Sequence, residues 1–316
     1  MPNSIPKSII DFHVHVFPEP RVLDFLKPEQ NEKVQQWRRQ GRKIFKAFPD
    51  SLHRLQPLVR RAPQKIRNIL DQVGAVSTLP HLILEATPGD LGEAMIQSNL
   101  DFAVVLAQPP YTPNEFILQE ARQNSKLVPF VNVPPSENQP GKKLKEYVKG
   151  GARGLKIHAA MDGLPMASAH YKNLLDAAAD EGLPVILHTG CIHMSFFYKK
   201  PDQSLVQNFE PWFKAYPKTH FILAHMNFHD PDKALDLMCR YENLWADTSW
   251  QPTDVIVRAA KRVGAERILF ATDWPLGGHN MAVGLGRIHD AVFKNALTQD
   301  QCDLICGNNA RTLLKI

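Results

Sequence analysis

The reading of the fold turns on Pro184-Val185-Ile186-Leu187-His188-Thr189-Gly190, echoed downstream by His220-Phe221-Ile222-Leu223-Ala224-His225. Each is a short apolar run that stops on a histidine. A strand with one wet face alternates polar and apolar residues. An unbroken run is what a parallel strand covered on both faces requires. Comparable runs lie at 8–15, 102–108, 127–133, 153–158, 244–249 and 267–273, which makes eight strand candidates. Helix-like segments at 114–125, 142–149, 170–180, 233–241 and 253–263 fall between them. Such alternation predicts an α/β protein, and eight strands with intervening helices predict a closed (β/α)8 TIM barrel. An open doubly wound sheet would carry a glycine-rich phosphate turn after its first strand. Here that strand ends Asp11-Phe12-His13-Val14-His15, so the competing fold loses its signature.

A chain of 316 residues is long for one domain but ordinary for a single barrel, and 1–316 is read as one domain. More than 80 residues separate the first strand from the second, where a loop and helix need far fewer. Segments 32–48 and 63–72 look helical, so 16–80 is expected to be a helical insertion with its own structure, with the first barrel helix near 90–99. The insertion leaves from the strand that carries His13 and His15, which suggests a lid over the barrel mouth. The net charge of +5 is concentrated there: residues 16–75 hold 13 Lys or Arg against 6 Asp or Glu. A solvated helical surface accounts for this, and a positive flap that draws in anionic substrates is the sharper reading. The segment 299–315 is expected to form a helical tail packed on the barrel.

The mild charge and the lack of a reading module argue against a nucleic-acid partner. No run approaches the roughly 18 apolar residues of a membrane span, and Met1 to Lys7 lack a signal peptide's apolar core. Cys191, Cys239, Cys302 and Cys306 show neither zinc-type pairing nor a disulfide framework. A soluble cytoplasmic protein with free thiols is expected.

His13 and His15 are two apart on a strand, so their side chains project from one face. Alone, such a pair is weak evidence. His188 ends the fifth strand, His225 the sixth and Asp273 the eighth. In a barrel these C-terminal strand ends converge on one mouth, where active sites lie. Imidazole nitrogens of this kind suit a borderline cation such as Zn2+. An ionised aspartate at an apolar strand end needs a partner to justify its burial.

The pieces Asp11-Phe-His-Val-His15, Gly154-Leu-Lys-Ile-His158, Val185-Ile-Leu-His-Thr189, Phe221-Ile-Leu-Ala-His225, Leu269-Phe-Ala-Thr-Asp-Trp-Pro275 and Gly307-Asn-Asn-Ala-Arg-Thr-Leu-Leu314 follow one another along nearly the whole chain. Their pattern resembles the amidohydrolase superfamily, and most closely the amidohydrolase-related branch that includes aminocarboxymuconate-semialdehyde decarboxylase. The insertion matches nothing in that family, and Ala271-Thr272 stands where the family often has Gly-Ser. The resemblance implies one divalent metal, usually zinc, held by His13, His15, His188 and Asp273, with His225 catalytic or substrate-polarising. In binuclear relatives a fourth-strand lysine is carbamylated and bridges two metals. Lys156 occupies that strand, but the branch resembled here is mostly mononuclear. Lys156 is therefore read as pairing with an acid or binding a substrate carboxylate, with His158 on the same face. Trp274 could line the site or pack in the core. Relatives are often dimers, so a homodimer is a further expectation.

A metal held this way would lower the pKa of a bound water toward ~7. Asp273 would move the proton and His225 would steady the developing oxyanion. The leading expectation is a hydrolase that attacks an ester, lactone or amide carbonyl of a small, carboxylate-bearing molecule. The same residues would serve non-oxidative decarboxylation of an aromatic or unsaturated acid. A degenerate, non-catalytic barrel is the reading from another class. It would show a broken ligand set, and here every position is filled.

Overall fold

The computed structural model describes residues 6–18, 61–72, 86–191, 198–275 and 280–316. Eight parallel strands stand in sequence order around a barrel: β1 (Ile10–Val14), β2 (Phe102–Leu106), β3 (Leu127–Val131), β4 (Gly154–Ile157), β5 (Val185–His188), β6 (Phe221–Ala224), β7 (Leu244–Asp247) and β8 (Ile268–Leu269). The sheet closes between β8 and β1 through Phe12 N to Phe270 O (2.9 Å), Asp273 N to His13 O (2.8 Å) and His15 N to Trp274 O (2.9 Å). The helices α1 (Pro88–Gln97), α2 (Asn114–Gln123), α3 (Pro140–Lys149), α4 (Ala169–Asp180), α5 (Glu210–Ala215), α6 (Pro231–Arg240), α7 (Thr253–Val263) and α8 (Asn280–Phe293) lie between and after the strands. The unbroken apolar runs have the expected cause, since β1, β3, β4, β5, β6 and β8 are buried at every position.

Alternate strand residues divide between two apolar layers. Ile10, Phe12, Val104, Leu106, Val128, Phe130, Ile186, Ile222 and Leu269 fill the barrel interior. Val105, Val131, Leu155, Val185, Leu187, Leu223 and Phe270 face outward and join the helices' buried stripes. Gly154 lies against the Phe130 ring in the interior, and a Cβ there would stand 2.3 Å from that ring. The barrel floor is closed by Ala310, Leu313 and Leu314 from the final helix (Asn309–Leu314), and Arg153 caps it by donating to Leu314 O at 2.5 Å.

Two local departures from regular structure aim the site. On β1, Asp11 pairs with Ala103 and Val14 pairs with Val105, so one β2 residue is opposed by two on β1. This bulge breaks the simple alternation: Phe12 fills the barrel while His13 and His15 are carried to the mouth. The expected tail helix is interrupted by a π-helical turn, Leu304–Asn308, whose Ile305 O accepts Phe270 N at 2.8 Å. That bond takes the donor β8 would otherwise offer to a sheet neighbour, and β8 is two residues long.

Helix starts follow ordinary capping chemistry. Thr87 and Asp90 form a reciprocal capping box at α1, and Ser168 caps α4. Within the insertion, 64–72 is helical as expected, whereas 32–48 lies outside the described residues. Among the described residues no helix is long and apolar enough to cross a membrane.

Candidate active site

The strand ends do converge. Asp273 Oδ1 lies 3.2 Å from His13 Nε2 and 3.2 Å from His15 Nε2. The His225 ring centroid is 4.8 Å from that of His13 and 5.0 Å from that of His188. His13, His15, His188, His225 and Asp273 are all at most 5% exposed. Their backbones are bent to reach this arrangement. Asp273 adopts φ 61°, and His225, Met226, Asn227 and Phe228 form four successive positive-φ residues (58°, 45°, 61° and 33°). Non-glycine residues of this kind cost about 1–3 kcal/mol each and persist where surrounding bonds over-determine them. The bonds are present: Asp247 accepts His225 N (2.8 Å), Gln251 donates to His225 O (2.6 Å) and Phe228 O (3.1 Å), and Thr189 Oγ1 accepts Asn227 N (3.0 Å).

The electrostatics follow from burial. Burial works to raise Asp273, but the imidazoles of His13, His225 and His15 outweigh it and hold the carboxyl well below the usual carboxylate range. Burial pushes His13 down and His225 down to about 4, so both rings are neutral near pH 7. Burial lowers Lys156 to about 8 against the opposing pull of Asp273 and then Asp247. His158 and His188 are depressed by burial and stack at 3.9 Å between centroids, 14° from parallel.

The donor set fits a cation. His13, His15 and Asp273 each present a ligand atom within 4.8 Å of the others. Asp273 Oδ1 is buried with no hydrogen-bond partner, despite two imidazole nitrogens at 3.2 Å. Leaving such an oxygen unsatisfied costs about 1–3 kcal/mol or more, and a positive ion among these three atoms would remove that cost. His188 stands outside this tight group. Its Nε2 faces the Tyr198 hydroxyl at 3.5 Å, beside His225.

Other expected residues take distinct places. Lys156 and His158 are 3% and 4% exposed on the strand-end side of β4, and His158 Nδ1 accepts Met161 N at 3.4 Å. Trp274 is 4% exposed and belongs to the outer apolar layer with Val14, Met281 and Leu285. The tryptophan that touches the site is Trp250, whose Nε1 donates to Asp273 Oδ2 at 2.7 Å. Sequence reasoning missed Trp250 and also Asp247, the last residue of β7, which is 0% exposed and 2.9 Å from His13 Nδ1. Their signal was present in Asp247-Thr-Ser-Trp-Gln251, polar residues closing a strand just as His188 and His225 close theirs. His229, four residues beyond His225, pairs at 2.9 Å with Asp71 of the insertion helix at 64–72. Nothing local in sequence reveals where an insertion folds back. His193 and His279 lie outside the described residues.

Comparison with known proteins agrees with this architecture. The amidohydrolase family model matches residues 10–316. Similar solved structures include 5-carboxyvanillate decarboxylase from Sphingomonas paucimobilis (TM-score 0.64, 14% identity, covering 98% of this chain and 99% of that one). The 5-carboxyvanillate decarboxylase from Novosphingobium aromaticivorans, with bound manganese, has TM-score 0.64 and 12% identity over 98% of this chain and 97% of that one. A probable 2-pyrone-4,6-dicarboxylic acid hydrolase from Acinetobacter baumannii has TM-score 0.59 and 16% identity over 98% and 100%. At such identities the likeness shows the barrel fold. No curated protein matches the sequence.

Proposed function

The chain belongs to the amidohydrolase family of metal-dependent TIM-barrel enzymes, and from that premise we propose a hydrolase acting on an ester, lactone or amide carbonyl of a small, carboxylate-bearing substrate. The observation that carries this reading is the buried Asp273 Oδ1, which accepts no hydrogen bond yet faces the Nε2 atoms of His13 and His15. His13, His15 and Asp273 would hold one divalent ion, with His188 as the fourth ligand. Two or more imidazoles with one carboxylate suit zinc. When bound, such an ion supplies Lewis acidity that polarises a substrate oxygen and eases the loss of a water proton near neutral pH.

The protein's own groups then divide the remaining work. Asp273 stays ionised through the working pH range, so its carboxylate can accept a proton from water and pass it to the leaving group. His225, neutral at rest and buried beside His13 and His188, faces the reacting carbonyl, and once its Nε2 is protonated the ring donates to that oxygen and steadies its charge. Lys156 supplies a buried cation for a substrate carboxylate, and His158 lies on the same strand end. Trp274 would act through packing against the strand end. A second metal on carbamylated Lys156 is the less favoured arrangement, since an uncarbamylated lysine already answers the negative charge of Asp273 and Asp247.

One observation favours decarboxylation of an aromatic or unsaturated acid as a second reading. Lys156 is buried at the end of β4 within the same ring of strand ends, where it would hold a substrate carboxylate that is itself the reacting group. Metal analysis and a substrate panel decide between them. Purified protein supplemented with zinc should bind about one ion per chain, and Asp273→Asn should lose activity ~1000-fold or more. Lactones turned over to acids without CO2 support the hydrolase, and CO2 release from hydroxybenzoates supports the alternative. Well under one ion per chain, with no turnover of either panel, defeats both.

A further inference from the structure

Asp247 lies outside the ligand set, yet its carboxylate touches two of the five groups at the mouth. Its Oδ2 is 2.9 Å from His13 Nδ1. Its Oδ1 accepts His225 N (2.8 Å), Ser249 N (3.1 Å) and Ser249 Oγ (2.5 Å). Ser249 Oγ in turn stands 2.7 Å from His225 Nδ1. We propose that Asp247 is a positioning residue that fixes the ring tautomers of both His13 and His225, the second through Ser249, so that each ring turns a bare Nε2 toward the site.

The argument is one of counting protons. An ionised carboxylate only accepts, so the contact between Asp247 Oδ2 and His13 Nδ1 requires the proton on Nδ1. Ser249 has one hydroxyl proton. Its contact with Asp247 Oδ1 uses that proton, because the carboxylate has none to give. The same oxygen must then accept from His225, which places a proton on His225 Nδ1 as well. A neutral imidazole carries one N–H, so Nε2 is a lone pair in both rings. For His13 that lone pair is the atom 3.2 Å from the unpartnered Asp273 Oδ1. For His225 it leaves the ring ready to accept a proton. One buried side chain thus sets the donor state of a ligand and of a catalytic group together. A partner on the far nitrogen of a ligating histidine typically changes metal affinity 10–100-fold.

The importance of this arrangement rests on the reading of His13 as a ligand and His225 as catalytic, but the tautomers can be observed without metal or substrate. Long-range 1H–15N correlation spectra of metal-free protein, assigned with single histidine substitutions, should show Nδ1–H forms for His13 and His225. Asp247→Asn, nearly isosteric, can donate to His13 Nδ1. It should convert His13 to the Nε2–H form and weaken zinc binding about 10–100-fold, while Ser249→Ala should alter His225 alone and leave zinc affinity within ~2-fold. An Nε2–H form of either ring in the unsubstituted protein would overturn the proposal, as would unchanged tautomers and zinc affinity in Asp247→Asn. Should Asp247→Asn fail to fold, the unsubstituted spectra and the Ser249→Ala pair still decide the matter. If the protein binds no zinc yet shows both Nδ1–H rings, the functional reading fails and the tautomer assignment stands.

Discussion

Asp273 shows how a single residue is prepared for one task. Its backbone is held at φ 61°, and its two oxygens have different neighbours: Trp250 Nε1 supplies a donor to Oδ2 at 2.7 Å while Oδ1 has none. The indole thereby occupies one oxygen and leaves the other to face His13 and His15. Trp250→Phe keeps the ring and removes the donor, which leaves a second buried oxygen unsatisfied at about 1–3 kcal/mol. Steady-state kinetics should show kcat/KM reduced ~10-fold or more, with the far-UV spectrum unchanged. Unaltered kinetics would mean that Oδ2 needs no help from the indole. At this scale the sequence was informative about one kind of residue only. His13, His15, His188, His225 and Asp273 stand out because an ionisable group ending an apolar strand is costly unless it has work to do. Asp247 ends a strand too, and Trp250 follows three residues later, but their partners lie far away in sequence, and only the folded barrel shows which nitrogen or oxygen each one meets.

Elements carry a different kind of information. The strands were legible because burial on both faces leaves an unbroken apolar run, and their order followed from strand–helix alternation. The β1 bulge and the π-helical turn were not legible, since each depends on which distant carbonyl or amide competes for a bond. Gly154 on β4 is a case where the element fails if one atom is added. A Cβ at that position would lie 2.3 Å from Phe130, whose ring is packed edge-on against Phe12 inside the barrel. Gly154→Ala should therefore cost about 1–3 kcal/mol as overpacking, read as a lower midpoint in urea. A midpoint equal to the parent would show that the ring can move aside. The short helix Ala159–Asp162 after β4 carries a pH-dependent cost. Burial raises Asp162 to about 6, although Tyr171 Oη donates to its Oδ2 at 2.9 Å. A carboxyl whose folded value lies above its unfolded value penalises the fold only where it must ionise. Stability is therefore undiminished below about pH 4, falls as pH rises toward 6, and stays reduced above that. Asp162→Asn keeps the acceptor for Tyr171 and removes the charge. Because the group is partly exposed, a gain of about 1 kcal/mol, or ~2–4 °C in Tm, is expected at pH 8 and none below pH 4. Equal gains at both pH values would point to a cause other than ionisation.

Across the whole molecule, the apolar seal and the cluster of buried ionisable groups lie at opposite ends of the barrel. The floor is sealed by Ala310, Leu313 and Leu314, while the mouth gathers His13, His15, His188, His225, Asp273 and Lys156. The insertion helix at 64–72 lies at the mouth end, since Asp71 reaches His229 four residues beyond His225. Arg61, Lys65 and Arg67, the described members of the basic excess in 16–75, thus have a position from which they can act on an approaching anion. If they do, the effect belongs to encounter rather than to the chemical step, because exposed charges steer at a distance and are screened within about 10 Å at 0.1 M salt. Replacing Arg61, Lys65 and Arg67 together by Gln should then raise KM for an acidic substrate by ~2–5-fold at low ionic strength, leave kcat in place, and flatten the salt dependence. A neutral substrate analogue should show no difference between the two proteins at any salt concentration. If KM for the acid is equally unmoved, the basic residues only solvate the insertion and the steering role fails.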